Sequence, residues 1–143
     1  MIRKGIYNID EILKQTLFIP KKAKYIYLNG QKQQIESGKY KKAFIDGELI
    51  NMASDRYKLF FVNRKCVSCG LEGKYMAMER DETDVSYHFN MYGYDELGNE
   101  ILFTKDHIIS KSDGGKNNLS NYQTMCTICN SKKNYISQKE SLH

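Results

Sequence analysis

Proline occurs once, at Pro20, and no apolar run approaches the roughly 20 residues that a membrane span requires. A membrane-spanning helix is therefore excluded as a reading of the sequence. The opening Met1-Ile2-Arg3-Lys4-Gly5 leads into mixed polar sequence rather than an apolar stretch, so no secretory signal is expected and the protein is read as cytoplasmic. No internal repeat and no low-complexity segment is present, which removes solenoids and disordered tails from consideration. No cysteine is left over either. All four fall into two C-x-x-C pairs, Cys66-Val67-Ser68-Cys69 and Cys126-Thr127-Ile128-Cys129.

What is present is globular in character. The 143 residues are 41% hydrophobic and 27% charged, enough for one domain or for a small domain with an appended segment. Lys and Arg total 22 against 17 acids, a net charge of +5, which suits a polyanionic partner without requiring one. In a reducing compartment disulfides are disfavoured, and two C-x-x-C knuckles match a tetrahedral all-thiolate zinc site. The alternatives are a redox C-x-x-C, which needs only one pair, and unrelated buried thiols. The 56 residues from Gly70 to Met125 exceed the spacing of a short zinc ribbon, so something sizeable lies between the knuckles.

Along the chain, Ile9, Ile12, Leu13 and Leu17 repeat with helical period behind a cap at Asn8 or Asp10, and Pro20 closes the helix. Lys24–Leu28 reads as a strand, Asn29-Gly30 as a hairpin turn, and Gln31–Glu36 as the returning strand. Residues 37–52 carry no clear pattern. Ser54 and Asp55 cap a further apolar segment, Tyr57 to Val62. Lys74–Arg80, Val85–Tyr92 and Glu100–Lys105 read as strands, with Asp95–Asn99 as a turn. Residues 110–121 are loop by composition, Tyr122–Met125 a short strand, and Thr127 to about Gln138 a helix.

One stretch carries chemistry. Asp106 and His107 sit side by side at a strand end, Gly114-Gly115 turns a polar loop, and Asn130 opens the helix that follows Cys126-x-x-Cys129. Asp106 and Asn130 are oxygen donors suited to a hard ion such as Mg2+. Imidazole is the side chain suited to taking a proton from water near neutral pH, which makes His107 the candidate base. Neighbouring strand residues point to opposite faces, so Asp106 and His107 share a site only if the strand ends or bulges there. An oxygen-ligated metal, a base and a basic surface together suggest phosphodiester hydrolysis. Taken singly, each piece has a plainer reading: a surface Asp-His pair, a turn at Gly114-Gly115, a cap at Asn121, a helix-start polar residue at Asn130.

Residues 66–69 and 103–133 resemble the HNH endonuclease family with its ββα-metal fold, in the subgroup carrying two C-x-x-C pairs. The resemblance rests on Asp106-His107, Gly114-Gly115, Asn121, and Cys126-x-x-Cys129-Asn130-x-x-Lys133. It implies that His107 is the general base, that Asp106 and Asn130 bind the catalytic Mg2+ (or Mn2+), and that Asn121 holds the loop through backbone hydrogen bonds. It also implies structural Zn2+ on Cys66, Cys69, Cys126 and Cys129. Asn130 stands where many members carry a final histidine, and Ser110 where a proline is common.

The expected fold is α+β: an HNH core (residues 61–143) with a four-cysteine zinc site, preceded by an N-terminal α/β extension (residues 1–60) able to position substrate. Lys105, Lys111, Lys116, Lys132 and Lys133 would surround the site and contact phosphates. Tyr122 and Tyr135 could stack on bases, although core roles are commoner; a structural role is expected of His88. The resemblance favours double-stranded DNA as partner, no membrane, and a setting in a phage, a mobile element or a restriction system. A palindromic double-strand cut would need two sites and hence a homodimer. The competing function is a catalytically inactive zinc-ribbon protein that binds nucleic acid.

Overall fold

The computed structural model describes residues 1–18, 22–37 and 42–141. Its centre is a five-stranded antiparallel sheet of order β1-β6-β7-β8-β9, built from β1 (Ile2–Tyr7), β6 (Tyr75–Arg80), β7 (His88–Tyr94), β8 (Glu100–His107) and β9 (Tyr122–Cys126). Two separate hairpins, β2 (Lys22–Leu28) with β3 (Gln31–Ser37) and β4 (Lys42–Ile45) with β5 (Glu48–Asn51), lie between β1 and β6 in sequence. The helices are α1 (Ile9–Leu13), α2 (Gln15–Phe18), α3 (Asp55–Val62) and α4 (Thr127–Ser141). The fold is α+β, and among the described residues no helix is long and apolar enough to cross a membrane.

Alternation along β6 and β7 sorts the sheet into two faces. Met76, Met78, Phe89 and Met91 face one side, where Ile9, Ile12 and Leu13 of α1 and Tyr57, Leu59 and Phe60 of α3 join them in one hydrophobic core. Burial of each such side chain is worth about 1.5–3 kcal/mol, which is what fixes both short helices. Asn8 caps α1 by accepting from the Glu11 amide, and Ser54 caps α3 by accepting from the Arg56 amide. The expected single helix from Asn8 to Leu17 is divided at Lys14 into α1 and α2. Residues of α1, β5 and α3 thus share a core with the later strands, and β1 completes their sheet by pairing with β6.

Both hairpins turn through two residues of positive φ: Asn29 (51°) and Gly30 (75°), then Asp46 (51°) and Gly47 (79°). The second is the same turn chemistry as the first, in the segment where the sequence pattern was unclear. Residues 38–41 fall outside the described residues. β7 starts at His88 instead of Val85, which is 98% exposed: the alternation of residues 85–87 continues into a bend and not a strand.

Candidate active site

The two cysteine knuckles meet at the start of α4. Cys66 and Cys69 lie in the loop after α3, where Gly70 adopts φ 77° and donates its N–H to the Cys66 carbonyl at 2.9 Å. Cys126 ends β9, and the Cys129 amide in the first turn of α4 points at the Cys126 sulfur at 3.4 Å. The Val67 amide donates to the Thr124 carbonyl, and Thr124 Oγ1 to the Asn63 carbonyl, tying the first knuckle to β9. All four Sγ atoms lie within 4.8 Å of one another, with Cys69 and Cys126 at 3.9 Å. A tetrahedron with metal–sulfur arms of about 2.3 Å has edges near 3.8 Å, so the cluster has the dimensions of a four-thiolate metal site. Burial pushes the Cys66 thiol up, but backbone amides of Cys69, Cys126 and Ser68 outweigh it and bring it down to about 6. Burial pushes Cys126 up to about 12.

Helix α4 packs across β8 and β9. Asp106, a buried residue, accepts on Oδ2 from Gln123 Nε2 (2.9 Å), its cross-strand partner, and from Lys133 Nζ (2.7 Å). Lys133 Nζ also donates to the His107 carbonyl at 2.9 Å. One turn earlier on α4, Asn130 donates from Nδ2 to Thr104 Oγ1 (3.4 Å), while its Oδ1 is buried and has no hydrogen-bond partner. A buried acceptor left unsatisfied costs about 1–3 kcal/mol. Thr104 and Asp106, two apart on β8, share a face with Asn130 and Lys133 above them.

β8 does end at His107, as the sequence suggested, but without a bulge. Asp106 pairs with Gln123 and His107 with Tyr122 in unbroken register, because β9 runs alongside to the last residue. The two side chains therefore leave the strand on opposite sides. The His107 ring stands edge-on to Tyr122, centroids 5.0 Å apart, and its Nε2 lies 2.8 Å from Asn117 Oδ1. With Asn117 Oδ1 as the acceptor, the contact is a hydrogen bond in the tautomer that carries its proton on Nε2.

The loop beyond is held by Asn121. Its Oδ1 accepts from the Ile109 amide (2.9 Å), its Nδ2 donates to the Ile109 and Lys116 carbonyls (3.0 and 2.9 Å), and its own carbonyl accepts from Ile108 N–H (2.8 Å). Gly114 sits at φ 90°, and a Cβ on Gly115 would lie 1.8 Å from the Ile109 carbonyl oxygen, so neither position admits a side chain without rearrangement.

The lysines divide. Lys105 lies over the Tyr122 ring at 4.1 Å, on the His107 side. Lys111 and Lys116 are exposed on the loop, Lys132 lines cavities beside Cys69 and Cys129, and Lys133 is drawn onto Asp106. Tyr122 is buried and Tyr135 exposed. His88 lies half-buried beside Asn90, its imidazole held below its ordinary 6.5 by burial and by Arg56. Gln123, Thr104 and Asn117 were not singled out from sequence. Pairing β8 against β9 through the Gly-Gly loop places Gln123 opposite Asp106 and would have found the first. Asn117 reaches His107 through the fold of the loop, which no local pattern gives.

Residues 95–135 match the family model described as HNH endonuclease, covering β8, the loop, β9 and the first turns of α4, but not Cys66 and Cys69. No curated protein and no solved structure matches the chain.

Proposed function

We propose that the protein is a metal-dependent HNH endonuclease that hydrolyses phosphodiester bonds in DNA, double-stranded by preference. The observation that carries this reading is the pair of side-chain oxygens left over at the end of β8. Both donors to Asp106 fall on Oδ2, and Asn130 Oδ1, on the same face, is buried without a donor. A hard divalent cation takes such oxygens, and a single carboxylate with one amide leaves most of its coordination sphere to water and phosphate, as Mg2+ prefers. Asp106 and Asn130 would hold Mg2+ or Mn2+, which when bound stabilises the charge developing on the phosphorane and the leaving oxygen.

The chain's own groups supply the rest. His107, with Nε2 fixed on Asn117, presents Nδ1 to take a proton from the attacking water. Asp106 and His107 leave β8 on opposite sides, so a phosphate served by both would have to lie at the end of the strand. Asn121 holds the loop in place through its hydrogen bonds to the Ile109 and Lys116 backbone. Lys105, Lys111, Lys116 and Lys132 contact neighbouring phosphates, giving salt-dependent and weakly sequence-specific binding. The four thiolates hold structural Zn2+, which fixes the first turn of α4 and so the position of Asn130.

Supercoiled plasmid incubated with the protein and Mg2+ tests this directly. Nicked or linear product is expected with Mg2+ or Mn2+, none with EDTA, and little with His107→Ala. Intact plasmid under both metals, or equal cutting by the variant, contradicts the reading and leaves a nucleic-acid-binding zinc protein in its place. Zinc well below one equivalent per chain in purified protein would contradict the thiolate site.

A further inference from the structure

Lys133 stands in an unexpected place for a phosphate-binding lysine. Its side chain is 38% exposed, and its ammonium lies 2.7 Å from a carboxylate whose side chain is only 10% exposed. It also donates to the His107 carbonyl, so it bridges the two residues that must act on the substrate. Asn130, three positions earlier on α4, lies on the same helix face over β8. Together the protein offers one carboxylate, one ammonium and two neutral amides, Asn130 and Gln123, at this spot. The charge supplied to an incoming cation is therefore close to zero.

Two consequences follow from electrostatics alone. A divalent ion arriving at Asp106 meets a like charge at contact range, in surroundings where solvent screens it only partly. A phosphodiester arriving at the same place offers the ammonium a new anionic partner and offers the metal a further oxygen. Gln123 provides an internal contrast. It donates to the same Oδ2 at 2.9 Å but carries no charge, so it can orient the carboxylate without repelling a cation.

Building on the metal reading above, we infer that Lys133 is a built-in competitor for the catalytic cation. It serves as counterion to Asp106, weakens binding of the metal by itself, and passes to the phosphate when substrate enters, so that metal and DNA bind cooperatively. Gln123 is the neutral positioning residue that remains on Asp106 throughout. By linkage, the factor by which DNA tightens the metal is the factor by which the metal tightens DNA.

The test is Mn2+ titration of the full-length, zinc-loaded chain, read by the electron paramagnetic resonance of free Mn2+. Wild type is compared with Lys133→Met, Lys133→Gln and Gln123→Met, each first checked for zinc content and melting temperature. Both Lys133 variants should bind Mn2+ roughly tenfold tighter, since both lose the charge although Gln keeps a donor. Gln123→Met should bind it about tenfold more weakly, as loss of a group that orients a ligand does. In a His107→Ala background, which keeps the DNA whole, a short duplex should tighten Mn2+ binding, and should do so less once Lys133 is also Met. If the Lys133 variants bind Mn2+ at wild-type affinity or more weakly, the ammonium is a scaffold contact and the inference is wrong. If wild type and all variants fail to bind Mn2+, the metal role of Asp106 and Asn130 falls, and the competitor role with it.

Discussion

Two buried carboxylates sit on the same face of the same sheet, and they are served very differently. Glu79, on β6, is 3% exposed and has both oxygens filled: Oε1 by Tyr92 (2.5 Å) and Asn90 (2.9 Å), Oε2 by Arg3 (3.0 Å). Arg3 goes on to Glu100, which also accepts from Tyr75, and Arg56 satisfies Asn90. Asp106, on β8, is 9% exposed, has both its donors on a single oxygen, and neighbours an orphaned Asn130 oxygen. A saturated network of this kind holds a fold together, and an unsaturated one holds room for a ligand. On this comparison Glu79 reads as scaffold and Asp106 as the proposed site, although burial alone would rank them the other way.

The largest effect should come from the thiolates, which support one cluster and not the other. Cys126→Ser should abolish stoichiometric zinc and expose the amides of β9 and α4 to hydrogen exchange, while those of β1 and β6 stay protected longest. Uniform loss of protection across the sheet would erase the distinction. Next, His107→Ala should lower the cleavage rate by roughly 10^2- to 10^4-fold with an unchanged melting temperature, since its ring is only partly buried. Glu79→Ala should do the opposite. Denaturant unfolding should show a loss of about 3 kcal/mol, because Arg3, Tyr92 and Asn90 lose their shared acceptor, while Mn2+ affinity holds.

Acid should act through the Glu79 side as well. Burial pushes that carboxyl up, but Tyr92, Asn90 and Arg3 outweigh it and hold it below its ordinary 4.5. The unfolded chain therefore binds more protons in this range, so the stabilisation is complete above about pH 4.5 and is lost as pH falls through the lower folded value. Glu100, held down by Arg3 and Tyr75, acts in the same direction. Melting temperature against pH should fall less steeply on the acid side for Glu79→Gln. The smallest effects belong to Lys111→Ala and Lys116→Ala. Each should weaken DNA binding a few-fold and reduce the slope of log affinity against log salt by about one.

The candidate site was legible in the sequence where its residues lie at short, local spacings. Asp106-His107, Asn121, Asn130 and the knuckles stand at fixed offsets along the chain, and the Asn29-Gly30 turn announces itself by two residues. What stayed hidden depends on pairing across long separations. β1 reads as mixed polar sequence because Arg3 faces the Glu79 network while Tyr7 reaches the core, and only β6, some 70 residues on, makes it a strand. Gln123 looks like an ordinary strand polar residue, and Lys133 like a phosphate-contacting lysine, until β9 and α4 are laid against Asp106. The missing bulge at Asp106 has the same origin, since continued pairing with Gln123 and Tyr122 is what keeps the strand regular there.

The central claim, that the unfilled oxygens at Asp106 and Asn130 form a divalent-metal site, is tested most directly by anomalous diffraction from crystals of the full chain grown with Mn2+. The account predicts a manganese peak about 2.1 Å from a side-chain oxygen of each residue, distinct from a zinc peak among the four sulfurs. A zinc peak alone, or manganese elsewhere with Asn130 Oδ1 still unliganded, would contradict it.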